Sequence, residues 1–247
     1  MAGTTIDSAL TVDVEGRRDQ RRYDTIDHLD AFLETVGPPS TLFVTPDVVE
    51  NREETVKGWK DAGHELGLHV HPERHADGHS NYLSDHSPDE IRRIIESGIE
   101  TFEHFLGTVP VAFRAGRWSY SPELLSVLDT VGIDTDSSLR PETEMLPYEG
   151  FGVREVPLTV YSNQLLRPFL GQFDVNIVPF AIDATLRNRW RELLFHLLTN
   201  YMLANDREYI MLGFHDYDLL GAGLFSRLTR YIRLLRIKTC PTMVTNL

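Results

Sequence analysis

Short apolar runs alternate along the chain with longer amphipathic stretches. Runs with the pattern of buried or half-buried strands occur at residues 9–14, 41–45, 65–71, 112–114, 133–138, 153–160 and 209–214. Apolar positions at helical spacing predict helices at residues 25–36, 47–62, 88–106, 122–131, 186–204 and 219–235. Two boundaries have clear signals, because Gly37-Pro38-Pro39 ends the first helix and Ser87 can cap the helix that follows it.

The regular alternation of strand and helix predicts an α/β fold with a parallel sheet, either open or closed into a barrel. The chain has 247 residues, and α/β barrels commonly form one domain of about 200–250 residues. Residues 150–183 fit the alternation poorly because they are rich in aromatic residues and prolines. We interpret that segment as an insertion or a lid.

Composition excludes several classes of protein. The chain carries 24 basic and 37 acidic residues, a formal charge of −13, which disfavours binding to nucleic acid. Lysine is scarce, which is typical of high-salt adaptation but also occurs in ordinary acidic enzymes. The single cysteine, Cys240, rules out an intrachain disulfide framework. No stretch is apolar enough to span a membrane, and the N-terminus lacks the features of a secretory signal, so we expect a cytoplasmic protein.

Ionisable residues follow five of the predicted strands. They are Asp13 and Glu15, His69 and His71, Arg114, Asp136, and His215. The carboxyl ends of parallel strands meet at one edge of a sheet or barrel, where active sites lie. These residues therefore predict one functional site, although each group alone is also compatible with a solvated loop.

The spacing within these groups suits a metal site. Asp13 and Glu15 are two residues apart on a strand and project to the same face. Two carboxylates so close repel one another unless a cation lies nearby. His69 and His71 have the same spacing, and neutral imidazoles bind zinc and similar divalent ions.

Five ordered motifs, TVDVEG, GHELGLHVHPE, FRAGR, GIDTDSS and LGFHD, carry a resemblance to a known family. Together they resemble the polysaccharide deacetylase family, which is also called the NodB-homology or carbohydrate esterase 4 group. The resemblance runs from about residue 7 to residue 247 and implies a single domain, 1–247, with a distorted (β/α)7-type barrel. It also implies a divalent metal, usually zinc with cobalt or nickel as alternatives, and hydrolysis of an N-acetyl group on an amino sugar or glycan.

The resemblance assigns metal ligands with one departure from the family pattern. Glu15 corresponds to the metal carboxylate and His69 to the first metal histidine. The second histidine usually follows four residues later, where this chain has Glu73. His71 can take that role from its place on the strand, His75 is the reserve, and Glu73 itself also stays open as the third ligand.

The resemblance also assigns catalytic roles. Asp13 corresponds to the base that activates water, and Arg114 to the arginine that holds this base. His215 corresponds to the general acid, and Asp136 to the residue that tunes it. Two other functions stay open, hydrolysis of cyclic amides, imides or other C–N bonds on the same fold and binding of a glycan without catalysis.

Overall fold

Eight parallel strands form one curved sheet in the part of the chain that the computed structural model describes, residues 6–16, 22–139, 150–159, 189–204, 209–221 and 223–247. The strands are β1 (Asp7–Val14), β2 (Thr41–Val44), β3 (Glu65–Val70), β4 (Phe113–Ala115), β5 (Thr135–Asp136), β6 (Arg154–Glu155), β7 (Tyr209–His215) and β8 (Cys240–Thr242). Their order is β6-β5-β4-β3-β2-β1-β7, with β8 paired to the start of β1. This parallel, curved arrangement confirms the predicted α/β barrel type.

The helices pack on the outer face of the sheet. They are α1 (Arg22–Val36), α2 (Pro46–Asn51), α3 (Glu53–Asp61), α4 (Pro88–Leu106), α5 (Pro122–Val131), α6 (Arg189–Leu203) and α7 (Leu224–Lys238). The predicted cap of α4 is present, since Ser87 N donates to Glu90 Oε2 at 2.8 Å. Gly107 ends the helix with φ 63°, a conformation that glycine adopts without strain. Within the described residues no helix is both long and apolar enough to cross a bilayer.

The sheet curls far enough for the chain after β6 to reach β7. Thr159 N donates to the carbonyl oxygen of Met211 at 3.1 Å, and Met211 N donates to Thr159 Oγ1 at 2.8 Å. A second apolar cluster, apart from the core under the helices, fills the inside with Ala9, Phe43, Ala112, Val156, Leu158, Met211 and Val244. The result is a filled, distorted barrel.

The C-terminal turn covers one end of this barrel. Val244 N donates to Thr41 Oγ1 at 3.0 Å, and Thr41 Oγ1 donates to Glu65 Oε1 at 2.7 Å. Thr41 and Glu65 begin β2 and β3, so the covered end is the amino end of the strands. The site residues follow the opposite ends of the same strands.

Several predicted boundaries are wrong. The helix predicted at 47–62 breaks at Arg52, which has φ −138° and pairs with Asp27 of α1. The strands predicted at 133–138 and 153–160 shorten to β5 and β6, and the last helix begins at Leu224 after a separate short turn, Asp216–Leu220. Of the predicted insertion, residues 160–183 lie outside the described residues, while residues 150–159 supply β6 and the segment that reaches β7.

Candidate active site

The ends of β1, β3, β4 and β7 line a solvent-open cleft of about 250 Å³. Six of the predicted site residues lie in its wall: Asp13, Glu15, His69, His71, Arg114 and His215. Asp136 is the predicted residue that is not among them. Arg117, Trp118 and Tyr217 complete the mouth of the cleft, which therefore combines carboxylates, imidazoles, guanidinium groups and aromatic rings.

Glu15, His69 and His71 form a cluster of potential metal ligands. One ligand atom from each lies within 4.8 Å of the others. Glu15 Oε1 is 3.2 Å from His71 Nε2 and 3.7 Å from His69 Nε2. Neither Nε2 atom has a hydrogen-bond partner although both are buried, an arrangement that a bound cation would satisfy.

The tautomer of His69 is set by its other ring nitrogen. His69 Nδ1 donates to the carbonyl oxygen of Arg114 at 2.7 Å, which leaves a lone pair on Nε2 directed at the cluster. Burial lowers the pKa of His71, so its imidazole is favoured in the neutral form that metals bind. Burial alone would raise the pKa of Glu15, but its contacts with the two histidines hold it well below its usual value. The donor set fits a divalent ion such as zinc.

The two other candidates for the third ligand make different contacts. Glu73 accepts a hydrogen bond from Arg117 Nη2 at 2.6 Å and lies 3.5 Å from His71 Nδ1. His75 Nδ1 accepts from the backbone nitrogen of Asp77 at 3.1 Å. Among the described residues the cluster with metal-binding spacing contains His71 and neither of these two.

Arg114 and Asp13 form a buried ion pair under the cleft. Arg114 Nη1 donates to Asp13 Oδ1 at 2.7 Å, and both side chains are at most 3% exposed. The same guanidinium donates to Thr11 Oγ1 at 3.1 Å and to Ser137 Oγ at 2.8 Å, and it lies 4.1 Å above the ring of Phe43. Such a network fixes the carboxylate of Asp13 in position.

His215 ends β7 opposite Asp13, its register partner on β1. Its Nδ1 is 3.5 Å from Asp218 Oδ2, which also accepts from the backbone nitrogen of His215 at 2.8 Å. Burial favours the neutral imidazole, but Asp218 and the charges of Asp13 and Glu15 outweigh it and raise the pKa of His215. Tyr217 stacks on the imidazole with ring centroids 4.5 Å apart. Sequence analysis missed Asp218, although a carboxylate three residues after a histidine was the available signal.

Asp136 occupies a different place from the one that sequence analysis assigned to it. It is fully buried, and its Oδ1 accepts from Ser137 N at 2.9 Å and Ser138 Oγ at 2.5 Å. Its neighbour across the strands is Glu155, a half-buried residue that sequence analysis missed. The carboxylate at Nδ1 of His215 is Asp218, so these contacts do not support Asp136 as the residue that tunes the histidine.

Comparison with known proteins gives one family and a set of structural neighbours. The family profile described as polysaccharide deacetylase matches residues 7–135, slightly more than half of the chain. A protein from Mycobacterium smegmatis described as a polysaccharide deacetylase is 20% identical, with a TM-score of 0.58 over 97% of this chain and 93% of that one. No curated protein matches.

Two further structural neighbours are described with different functions. A Bacillus anthracis protein called a family 4 carbohydrate esterase pseudoenzyme is 13% identical, with a TM-score of 0.58 over 100% of this chain and 66% of that one. A family 4 acetyl xylan esterase from Clostridium thermocellum, in complex with cobalt, is 17% identical, with a TM-score of 0.54 over 97% and 89% of the two chains. At these sequence identities the similarity to solved structures shows the fold. The match to the family profile, which ends before β7, shows that this chain belongs to the polysaccharide deacetylase family.

Proposed function

We propose that the protein is a metal-dependent hydrolase that removes an N-acetyl group from an amino sugar or glycan. One observation carries the proposal. A single cleft combines the Glu15–His69–His71 cluster with an arginine-held carboxylate, Asp13, and a carboxylate-held imidazole, His215. These are the metal ligands, base and acid that hydrolysis of an unactivated amide requires.

Glu15, His69 and His71 would hold the metal. When bound there, a divalent ion supplies a Lewis acid that polarises the acetyl carbonyl and makes a water easier to deprotonate. Two imidazoles and one carboxylate favour zinc, and cobalt or nickel accept the same donors. The acetyl xylan esterase neighbour carries cobalt, which supports including that ion in tests.

Asp13 and His215 would move the protons. Asp13 accepts a proton from the attacking water, whose oxygen bonds to the carbonyl carbon. Arg114 keeps this carboxylate oriented through the 2.7 Å ion pair. His215 enters as imidazolium, favoured by Asp218, and donates its proton to the amide nitrogen as the C–N bond breaks. Acetate and a free amine are the products.

Arg117 and Trp118 would bind the substrate at the cleft mouth. Both have left-handed backbone, with φ 56° and 58°, which costs non-glycine residues about 1–3 kcal/mol each and is concentrated at functional sites. This conformation brings both side chains to the wall of the cleft. The indole of Trp118 offers a flat apolar face of the kind that stacks on a sugar ring.

The test measures acetate released from N-acetylglucosamine and its short oligomers by protein loaded with zinc or cobalt. We expect His215→Ala to lower kcat by about 10²–10⁴ while metal content stays equal to that of the wild type. Loss of metal in this variant, or an unchanged kcat, would contradict the role of His215. The exposed His104→Ala, on α4, is the matched control.

The same assay separates the alternatives. Acetylated xylan tests O-deacetylation, in which the leaving oxygen depends less on an acid, so His215→Ala would cost less activity there than with an amide. Cyclic imides test the alternative function, hydrolysis of cyclic amides, imides or other C–N bonds. A metal-loaded protein that binds glycan but releases no product from any of these substrates would instead be a silent member, like the pseudoenzyme among its neighbours.

A further inference from the structure

We propose that Arg74 is a positioning residue that holds Glu15 in a one-oxygen binding mode and thereby strengthens metal binding. Arg74 Nη2 donates to Glu15 Oε2 at 3.0 Å, and Arg74 Nη1 donates to the backbone oxygen of Glu15 at 3.1 Å. The inference rests on the proposed function, because it concerns the metal centre proposed there.

The two carboxylate oxygens of Glu15 have separate surroundings. Oε1 faces imidazoles, with Nε2 atoms of His71, His69 and His215 at 3.2, 3.7 and 3.6 Å. Oε2 faces the guanidinium of Arg74. With Oε2 occupied, Oε1 is the atom left for the metal, and the side chain cannot rotate to offer both oxygens.

Arg74 is itself held by the fold. It lies in the short turn Pro72–Arg74 directly after β3, the strand that carries His69. Its Nη1 also contacts Asp47 Oδ1 at 3.4 Å, and its side chain is 17% exposed. One segment therefore delivers both histidine ligands and the arginine that aligns the carboxylate ligand from β1.

The backbone of Glu15 has an independent anchor. Asp216, which is fully buried, accepts from the backbone nitrogens of Glu15 at 3.2 Å and Gly16 at 3.1 Å. Loss of Arg74 should thus free the carboxylate without moving the strand. We expect Arg74 variants to fold, which makes metal affinity a direct measure of side-chain alignment.

Removing Arg74 would change metal affinity in opposite directions through the alignment of Glu15 and through charge. A guanidinium beside the site repels a cation, so removing it would tighten metal binding if charge dominated. Residues that orient metal ligands typically contribute about 10–100-fold to affinity. We expect the alignment effect to be larger, because an unrestrained glutamate must lose side-chain freedom each time it binds.

The experiment titrates metal-free protein with cobalt and follows the visible absorption band, with zinc affinity measured by chelator competition. We expect Arg74→Gln to weaken both affinities about 10–100-fold and to alter the cobalt spectrum, and Arg74→Lys to recover part of the loss. Arg93→Gln is the control, because Arg93 is an exposed arginine bonded to Asp77 at 3.0 Å in the same region.

Unfolding of the metal-free proteins in urea checks that the Arg74 variants are as stable as the control. Affinity that is unchanged or tighter in a folded Arg74→Gln would overturn the inference while leaving the proposed function intact. A wild-type protein that binds neither ion would refute the proposed function and the inference with it.

Discussion

Replacing Glu155 by glutamine should change how the stability of the fold depends on pH. Glu155 and Asp136 are register partners on β6 and β5, where Asp136 is fully buried and Glu155 is half-buried. Glu155 Oε1 accepts from Leu139 N at 2.9 Å. The outer oxygens, Asp136 Oδ2 and Glu155 Oε2, are buried without a donor from elsewhere in the described residues, so one shared proton would satisfy both.

The direction in which the free energy of unfolding changes with pH follows from the two pKa values. Burial raises the pKa of Asp136 to about 6, and burial with the charge of Asp136 raises the pKa of Glu155 well above its usual value. In the unfolded state these carboxyl groups lose their protons at about pH 4. Above about pH 6 Asp136 has lost its proton and Glu155 keeps one, so the folded state binds one more proton than the unfolded state. The free energy of unfolding therefore falls as pH rises, by about 1.4 kcal/mol per pH unit.

Between about pH 6 and pH 8 this one proton amounts to about 2.7 kcal/mol at most. Glutamine at position 155 keeps the acceptor for Leu139 and donates an N–H to Asp136, so it needs no proton. Urea unfolding of both proteins at several pH values gives the difference between their slopes. Glu96→Gln, about half exposed on α4, is the control. Parallel slopes for wild type and Glu155→Gln would refute the shared proton.

Three further predictions concern the site. Gly116→Ala should lower metal affinity, because a Cβ there would lie 2.7 Å from the imidazole of His71; an affinity equal to that of Gly58→Ala, where the added Cβ meets nothing within 4 Å, would contradict it. Arg114→Met should cost about 3–5 kcal/mol in urea unfolding, since Asp13 is left buried and unpaired; a loss below about 1 kcal/mol would show that the carboxylate finds another partner. Chelation should lower the thermal midpoint of the zinc-loaded protein, with a stabilisation of about 2.7 kcal/mol expected at zinc one hundred times Kd; an unchanged midpoint would argue against a bound metal.

The alternation of strands and helices made the barrel predictable, and the polar residues after each strand made the cleft predictable. The alternating pattern of strands and helices indicates parallel strands. Because parallel strands run in one direction, their carboxyl ends meet at the same edge of the sheet. Short strands were harder to predict from the sequence. β5 and β6 have two residues each, too few to show the alternation of buried and exposed positions that marks a strand. Their extent is decided by neighbouring strands rather than by their own sequence.

Two residues that sequence analysis missed, Arg74 and Glu155, act through partners far away in the chain. Arg74 meets Glu15 across 59 positions, and Glu155 matters only because β6 lies beside β5. No spacing rule brings such pairs together. Asp136 shows the converse, since its motif suggested a role at His215 and its contacts are with the serines that follow it.

The position of β1 between β2 and β7, with β8 paired to its start, also sets the order in which the protein can assemble. Thr11 Oγ1 donates to the carbonyl oxygen of Leu212, 201 residues later, and Ser8 bonds to Thr239 across 231 residues. Contacts of such long range slow folding because the chain loses loop entropy before it gains them. A nascent chain that has released only β1 to β4 already carries Asp13, Glu15, His69 and His71, but β1 still lacks the neighbour that carries His215. We therefore expect His215, the proposed proton donor, to join the proposed metal ligands among the last steps of folding, so that a partly made protein would lack the complete site.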